Sequence, residues 1–320
     1  MKTRPPFPLV WNDSLRSAFV SCPRAAYWEF FHHFKPTAPN IHLHAGKAWA
    51  ASLEAARLMY YGEGLSAKDS QAIGLEKLIH EYGDFACPER GSGSNKSLDR
   101  LIEAFSYYFL AFPLDKDPVQ PYRARNGKPM VEFNFALPIQ PDGENPLLHP
   151  ETGEPILYAG RADMVATYAG ALSIYDDKTT SSLGTTWGNQ WTRRSQFGAY
   201  CWAAAQYNMP ISQVVVRGIA ILKTSINHAQ AITHRLPHHV TEWHFQVQRD
   251  IHRAIECWKE GYFDYNLGES CASYGGCGFL QACTSRDPAP WLEGQFERRI
   301  WDPVTRTETP IQMHGIEWKY

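Results

Sequence analysis

The chain reads as an α/β protein: a mixed sheet with helices packed on it. Two observations predict this. The first 112 residues follow helical spacing, and after Pro113 strand-like runs recur in the order three strands, helix, two strands, helix. A third observation concerns chemistry. An acidic strand pair lies between one cysteine near the start of the chain, Cys22, and three near its end, Cys271, Cys277 and Cys283.

The elements follow in order. Asn12 to Phe34 is rich in aromatics and alanine and is expected to be helical. His44 to Tyr60 has the stronger pattern, with Leu43, Ala50, Leu53 and Leu58 among its apolar positions. Helices are also expected over Lys68 to Tyr82 and Ser97 to Phe112, with a loop between them from Cys87 through Asn95. Val131 to Leu137 alternates as a strand does, and Pro138 to Pro155 is a Pro/Gly-rich connection. Strands at Ile156 to Tyr168 and Ala171 to Asp177 are joined by a tight turn at Ala169-Gly170. Trp191 to Tyr207 reads as a helix that ends before Pro210. Val214 to Leu222 is a buried strand, Ala229 to Leu236 its partner, and His239 to Tyr262 a last long helix. A cysteine-rich coil and a Trp-containing tail complete the chain.

Composition bounds the function. With 44% hydrophobic and 20% charged residues, the 320-residue chain is ordinary for a soluble globular protein with a substantial core. A net charge of −2 gives no global attraction to polyanions. Any such binding falls to local clusters: Arg123, Arg125 and Lys128; Arg193 and Arg194; Arg298 and Arg299. Met1 to Val10 carries three prolines and no long apolar stretch, so no signal peptide is visible. The run Phe197 to Ala205 is far short of the about 20 residues needed to span a bilayer, and a cytoplasmic protein without membrane contact is expected. Seven cysteines in a reducing compartment point to metal binding rather than disulfides.

Gly160-Arg161-Ala162-Asp163 places an acid within a strand, and Ile174-Tyr175-Asp176-Asp177-Lys178 follows eleven residues after Asp163. Alternation puts Ile174, Asp176 and Lys178 on one face, with Tyr175 and Asp177 on the other. A hairpin turned at Ala169-Gly170 brings Asp163 near Asp176. Two carboxylates suit a hard divalent cation, which polarises a phosphate and acidifies a water, while the lysine steadies the water or the developing charge. On the following helix Gln196 and Tyr200 are four positions apart and share a face.

These three motifs, Gly160-Arg-x-Asp163, Asp176-x-Lys178 and Gln196-x-x-x-Tyr200, resemble the PD-(D/E)xK nuclease superfamily and its RecB-type branch. The resemblance runs roughly from Cys22 to Cys283 and implies a restriction-endonuclease-like mixed central sheet flanked by helices, with an N-terminal helical region and a Cys-rich C-terminal segment. It implies Asp163 and Asp176 as ligands of Mg²⁺ or Mn²⁺, Lys178 as catalytic, and Gln196 and Tyr200 as positioning DNA and the site. Glu132 falls where the branch often carries a glutamate that supports the metal from the side. One departure stands out. The branch's Gly-x-x-x-His-x-x-x-Glu helix pattern is matched by Gly46 and Glu54, with Ala50 in place of the histidine. His44, Glu54 or water would fill that coordination position.

Cys271, Cys277 and Cys283 lie within thirteen residues, among glycines at 275, 276 and 278 that permit tight turns between thiolates. With Cys22 they make four thiolates, which suit either Zn²⁺ or an iron–sulfur cluster, although the five-residue gaps fit zinc knuckles poorly. Cys87, Cys201 and Cys257 have no ligand spacing and are expected to pack as small hydrophobes. The arrangement is similar to that of the iron–sulfur nucleases of the superfamily, the CRISPR-associated adaptation nucleases and AddB. It implies a structural 4Fe–4S cluster, although the first gap of the C-terminal trio is longer than usual.

The expected protein is a single nuclease domain over 1–320, with a helical region (1–112), a core (113–265) and a cysteine-rich segment with tail (266–320). Its expected activity is that of a hydrolase, a metal-dependent deoxyribonuclease of exonuclease type. It would act on single-stranded DNA or duplex ends in recombination, repair or processing, with a protein partner in those pathways and a phage or mobile-element setting. Two alternatives stand beside it: a catalytically weak or inactive nucleic-acid-binding protein of the same fold, favoured by Ala50, and a four-thiolate zinc protein.

Overall fold

The computed structural model describes residues 4–38, 40–85, 95–139, 146–272 and 276–311. In chain order the elements are β1 (Val10–Trp11), α1 (Asp13–Ser21), α2 (Pro23–Ala26), β2 (Phe34–Pro36), α3 (Ile41–Arg57), α4 (Ala67–Tyr82), α5 (Leu98–Ala111), β3 (Gln120–Pro121) and β4 (Val131–Pro138). There follow β5 (Leu157–Tyr168), β6 (Ala171–Thr180), α6 (Ser195–Gln206), β7 (Gln213–Ile221), β8 (Ile226–His234), α7 (Pro237–Glu260), α8 (Leu280–Thr284), α9 (Ala289–Gln295), β9 (Phe296–Asp302) and β10 (Thr307–Pro310). The chain divides into two compact units, one of Met1–Pro39, Phe135–Gly160 and Thr241–Tyr320, the other of Asn40–Asn134 and Arg161–Val240.

The second unit is built on the strand order β5-β6-β7-β8, with β3 also pairing β5. β5 and β6 form an antiparallel hairpin from Met164↔Tyr175 to Tyr168↔Ala171. Ala169 and Gly170 both have positive φ, 50° and 77°, as a two-residue turn matched to strand twist requires. β6 then runs parallel to β7, Ser173↔Gln213 through Thr180↔Ala220, and α6 supplies the crossover such a pair needs. Val214–Ile221 is buried throughout, an apolar run broken only by the buried Arg217, whereas β8 pairs antiparallel and is largely exposed.

Three helices cover this sheet. Asn40, Ser66 and Ser97 cap α3, α4 and α5, each side-chain oxygen accepting backbone N–H groups of the first turn. Trp49, Leu53 and Ala56 of α3 meet Leu78 of α4, Leu101, Phe105 and Tyr108 of α5, and Ile219 and Ile221 of β7 in one core. At about 1.5–3 kcal/mol per large apolar side chain, this burial is what holds the helices to the sheet. α4 approaches α3 closely at Gly74, where an added Cβ would lie 2.8 Å from both Ala56 Cβ and Ser52 O.

In the first unit the predicted helix over Asn12–Phe34 is broken. α1 stops at Ser21, Cys22 is extended (φ −158°, ψ 107°), and α2 restarts at Pro23. Proline disfavours helical backbone in the residue before it and is well suited to a helix's first turn. A π-turn over Tyr27–Phe31 follows. β1 pairs parallel with β5 at Val10↔Leu157, and a separate antiparallel sheet is ordered β10-β9-β2. This sheet and the helices α8 and α9 replace the coil expected after Tyr262. Their apolar positions are spread over short segments and find partners only across the fold: Trp28, Phe34, Phe279, Leu292 and Phe296 make a second core. No helix among the described residues is long and apolar enough to cross a membrane.

Gly74→Ala is expected to destabilise the protein by about 1–3 kcal/mol through overpacking in denaturant titration. Gly46→Ala, with nothing within 4 Å of the added Cβ, should stabilise it by up to about 1 kcal/mol through helix propensity.

Candidate active site

Asp163, Asp176 and Lys178 all belong to the second unit, on the two strands of the β5–β6 hairpin. Extending the hairpin register one step beyond Met164↔Tyr175 sets Asp163 across from Asp176. Asp163 Oδ2 accepts the backbone N–H of Asp177 at 2.7 Å, so a side chain takes a donor from the neighbouring strand. Asp176 is 1% exposed, and its Oδ2 is 2.5 Å from Lys178 Nζ.

The charges on these groups explain their proton affinities. Burial pushes the Asp176 carboxyl up to about 7; Lys178 opposes this and the Asp163 charge adds to it. Burial likewise raises Asp163, against Lys178 and with Asp177. For Lys178, burial alone would lower the value, but the Asp176 and Asp163 carboxylates outweigh it and raise it. Two acids that resist ionisation beside a protonated lysine form a site with an unmet demand for positive charge. Oxygen donors of this kind suit Mg²⁺ or Mn²⁺, and Mg²⁺ in particular is often held by one or two carboxylates, with waters and substrate phosphate completing its sphere. Among the described residues no group of three or more His, Cys, Asp or Glu side chains is in position to hold a metal.

Asp177 faces away from this pair. Its Oδ1 accepts from Tyr175 OH (2.8 Å) and Tyr108 OH (2.9 Å), and its Oδ2 is 2.6 Å from Arg57 Nη2. Sequence reasoning gave Arg57 and Asp177 no role. The only signal was that Asp177 alternates with Asp176, whereas Arg57 arrives from α3 across 120 residues of chain.

Glu132 has φ +61°, a left-handed backbone that costs a non-glycine residue about 1–3 kcal/mol. Its Oε2 is 2.5 Å from Arg161 Nη1, which also stands 3.5 Å from Glu54 Oε2. Arg161 therefore holds both acids that the family pattern singles out, and as second neighbour to Asp163 on β5 it shares that residue's face. This could have been read from the alternation. His44 is engaged elsewhere: its Nε2 is 2.8 Å from Tyr82 O, and its ring stacks on Phe85. Gln196 and Tyr200 do meet on α6, Nε2 donating to the hydroxyl at 2.6 Å. Of the basic clusters, Arg123 donates to Tyr61 O and Gly127 O, Arg298 to His32 O, and Arg299 pairs with Glu297 and Glu308. Arg193 and Arg194 are exposed, and the Arg194 charge is felt by Lys178.

In the first unit, Cys22, Cys271, Cys277 and Cys283 are free thiols of intermediate burial. Burial raises the Cys277 thiol, and the Cys271 and Cys22 charges add to it. Burial pushes Cys283 up to about 11, against a hydrogen bond with Trp28 and with the charges of Cys277 and Cys22. The Cys277 N–H donates to Cys271 O at 2.9 Å, and the Cys277 and Cys283 side chains pack on the core that contains Trp28 and Phe279. Cys277 thus feels Cys271 and Cys22, and Cys283 feels Cys277 and Cys22, but among the described residues no three of these thiols are placed to hold a metal ion. Cys201 and Cys257 are buried, and Cys87 lies outside the described residues.

A buried acid with a raised value stabilises the fold fully below its unfolded value near 4, and that stability is lost as pH rises through about 7. The melting temperature of Asp176→Asn relative to the parent, both metal-free, should therefore rise steadily from pH 5 to pH 8. Differential scanning calorimetry checks this, and a pH-independent difference would contradict it.

Comparison with known proteins follows from this geometry. Among solved structures, a candidate exonuclease from Eubacterium rectale is similar over 83% of this chain and 88% of its own, with 13% identity and a TM-score of 0.40. A second structure, SSO0001, is similar over 66% of this chain and 73% of its own, with 12% identity and a TM-score of 0.28. No curated protein matches the chain. The family model of the PD-(D/E)XK nuclease superfamily matches residues 16–284, which take in the acidic hairpin, Gln196 and Tyr200, and Cys22, Cys271, Cys277 and Cys283, and the chain belongs to that superfamily.

Proposed function

We propose that the protein is a metal-dependent DNA nuclease, an exonuclease acting on single strands or duplex ends, in a single nuclease domain stapled by a 4Fe–4S cluster. The observation that carries the catalytic part is the convergence of Asp163, Asp176 and Lys178, two acids raised by burial beside a charged amine. Asp163 and Asp176 would hold Mg²⁺ or Mn²⁺. When bound, the ion polarises the scissile phosphate and acidifies the attacking water. Lys178 would orient the attacking water and meet the charge developing on phosphate. The Asp163 carboxylate is kept in place by the Asp177 N–H. Gln196 and Tyr200, hydrogen-bonded to each other, would position the DNA and the site, and exposed Arg194 offers a contact for the DNA backbone.

The spacing of Cys271, Cys277 and Cys283 favours the cluster reading, as does the charge influence of Cys22 on both Cys277 and Cys283. A cluster there ties residue 22 to the segment 271–283, and closing so long a loop gives tethering its largest entropic return. Recombination or repair of DNA in the cytoplasm, in a phage or mobile-element context and with a protein partner, is the setting that fits such an enzyme.

The second reading, a weak or inactive DNA-binding relative, is favoured by Ala50. His44 does not replace it, since it is committed to Tyr82 and Phe85, and Glu54 is held by Arg161. With Mn²⁺ and labelled single-stranded DNA, the parent should cleave and Lys178→Ala should lose about 100-fold or more in rate. Equal rates in the two proteins, or no cleavage by either, would decide for the second reading. Anaerobically purified protein should be brown, with iron and sulfide in equal amounts, and Cys283→Ala should lose both. Colourless protein carrying zinc would replace the cluster with a four-thiolate zinc site.

A further inference from the structure

The two faces of β6 do different work, and the face turned away from the carboxylate pair holds a closed set of charges. Asp177 receives two tyrosine hydroxyls and Arg57. Arg57 Nη2 in turn donates to Tyr108 OH at 2.8 Å and to Tyr175 OH at 3.2 Å. Next to this set on β7, opposite Asp177 in register, Arg217 makes a two-pronged pair with Asp117 at 2.5 and 2.6 Å and lies over the Tyr175 ring. Arg57, Tyr108 and Tyr175 are all buried. All three partners of the Asp177 side chain, the two tyrosine hydroxyls and Arg57, lie on the face turned away from the carboxylate pair.

Its backbone is another matter. The Asp177 N–H, beyond the last β5–β6 pair at Met164↔Tyr175, donates to Asp163 Oδ2. The direction of the Asp163 carboxylate is thereby set by where the backbone of residue 177 sits. That backbone is fixed from behind by its own side chain, gripped by Arg57, Tyr108 and Tyr175. We propose that Arg57 and Asp177, with the two tyrosines, are positioning residues that aim Asp163 at the divalent ion through the Asp177 amide. This rests on the nuclease reading above and adds residues to it. Groups that orient metal ligands without touching the metal typically carry 10–100-fold in affinity or activity, and this set is built like one of them.

The test replaces the buried pair by apolar side chains of similar volume, Arg57→Met with Asp177→Leu, which leaves no unpaired charge inside. A milder companion, Tyr108→Phe with Tyr175→Phe, removes only the hydroxyls and serves if the first variant does not fold. Three quantities are read on each folded variant: the Mn²⁺ dissociation constant by electron paramagnetic resonance, kcat and KM on single-stranded DNA, and exchange of the residue 177 amide in metal-free protein. The positioning role requires Mn²⁺ binding weaker by about tenfold or more, kcat lower by a similar factor with KM within about twofold, and faster amide exchange. Parental Mn²⁺ affinity and amide protection in a folded variant would overturn it, whatever the activity. A parent protein that cleaves nothing would end the nuclease reading alone. The Mn²⁺ and amide measurements would still decide the positioning role.

Discussion

Charge held out of water at the end of the β5–β6 hairpin is the constraint on which the rest of the second unit depends. Asp176 is almost fully buried, Asp163 sits beside it, and a single lysine amine answers both. Isolated ionised groups in such a place would be prohibitively costly, so the fold supplies compensation from every side. Lys178 comes from the same strand as Asp176, and the Asp177 amide from the next residue. What remains uncompensated is a preference for one more positive charge, which the proposed divalent cation would supply.

The parallel pairing of β6 with β7 makes this arrangement possible. It buries both faces of β6, so residues 175 and 177 lie in an interior as demanding as that of residues 176 and 178. The interior on one side is met by α3 and α5, which bring Arg57 and Tyr108 to Asp177. The acidic pair itself lies on the other side. One strand thus separates a charge set that is fully satisfied from one that is not. The satisfied set gives rigidity, and the unsatisfied set gives chemistry.

In the first unit a chain break sets the surroundings of Cys22. Pro23 stops α1 and leaves Cys22 extended between two helices, while Cys277 and Cys283 pack on the aromatic core around Trp28. A continuous helix through residue 22 would have kept the thiol on a regular helical face.

Several features were decided by sequence alone. The tight turn at Ala169-Gly170, the alternation that separates Asp176 from Asp177, the i,i+4 pairing of Gln196 with Tyr200 and the apolar strand at β7 all depend on neighbours close in the chain. Local spacing is enough to specify them. The Ser and Asn caps of α3, α4 and α5 are local in the same way. Other features exist only in the folded chain. Arg57 reaches Asp177 from 120 residues away, and Glu132 and Glu54 are claimed by Arg161. The strands β9 and β10 form in a tail whose own pattern predicted coil. Each of these depends on an ion pair or an edge pairing between distant segments. The free energy of such contacts appears only after burial has removed the competing water, and so no local pattern records it.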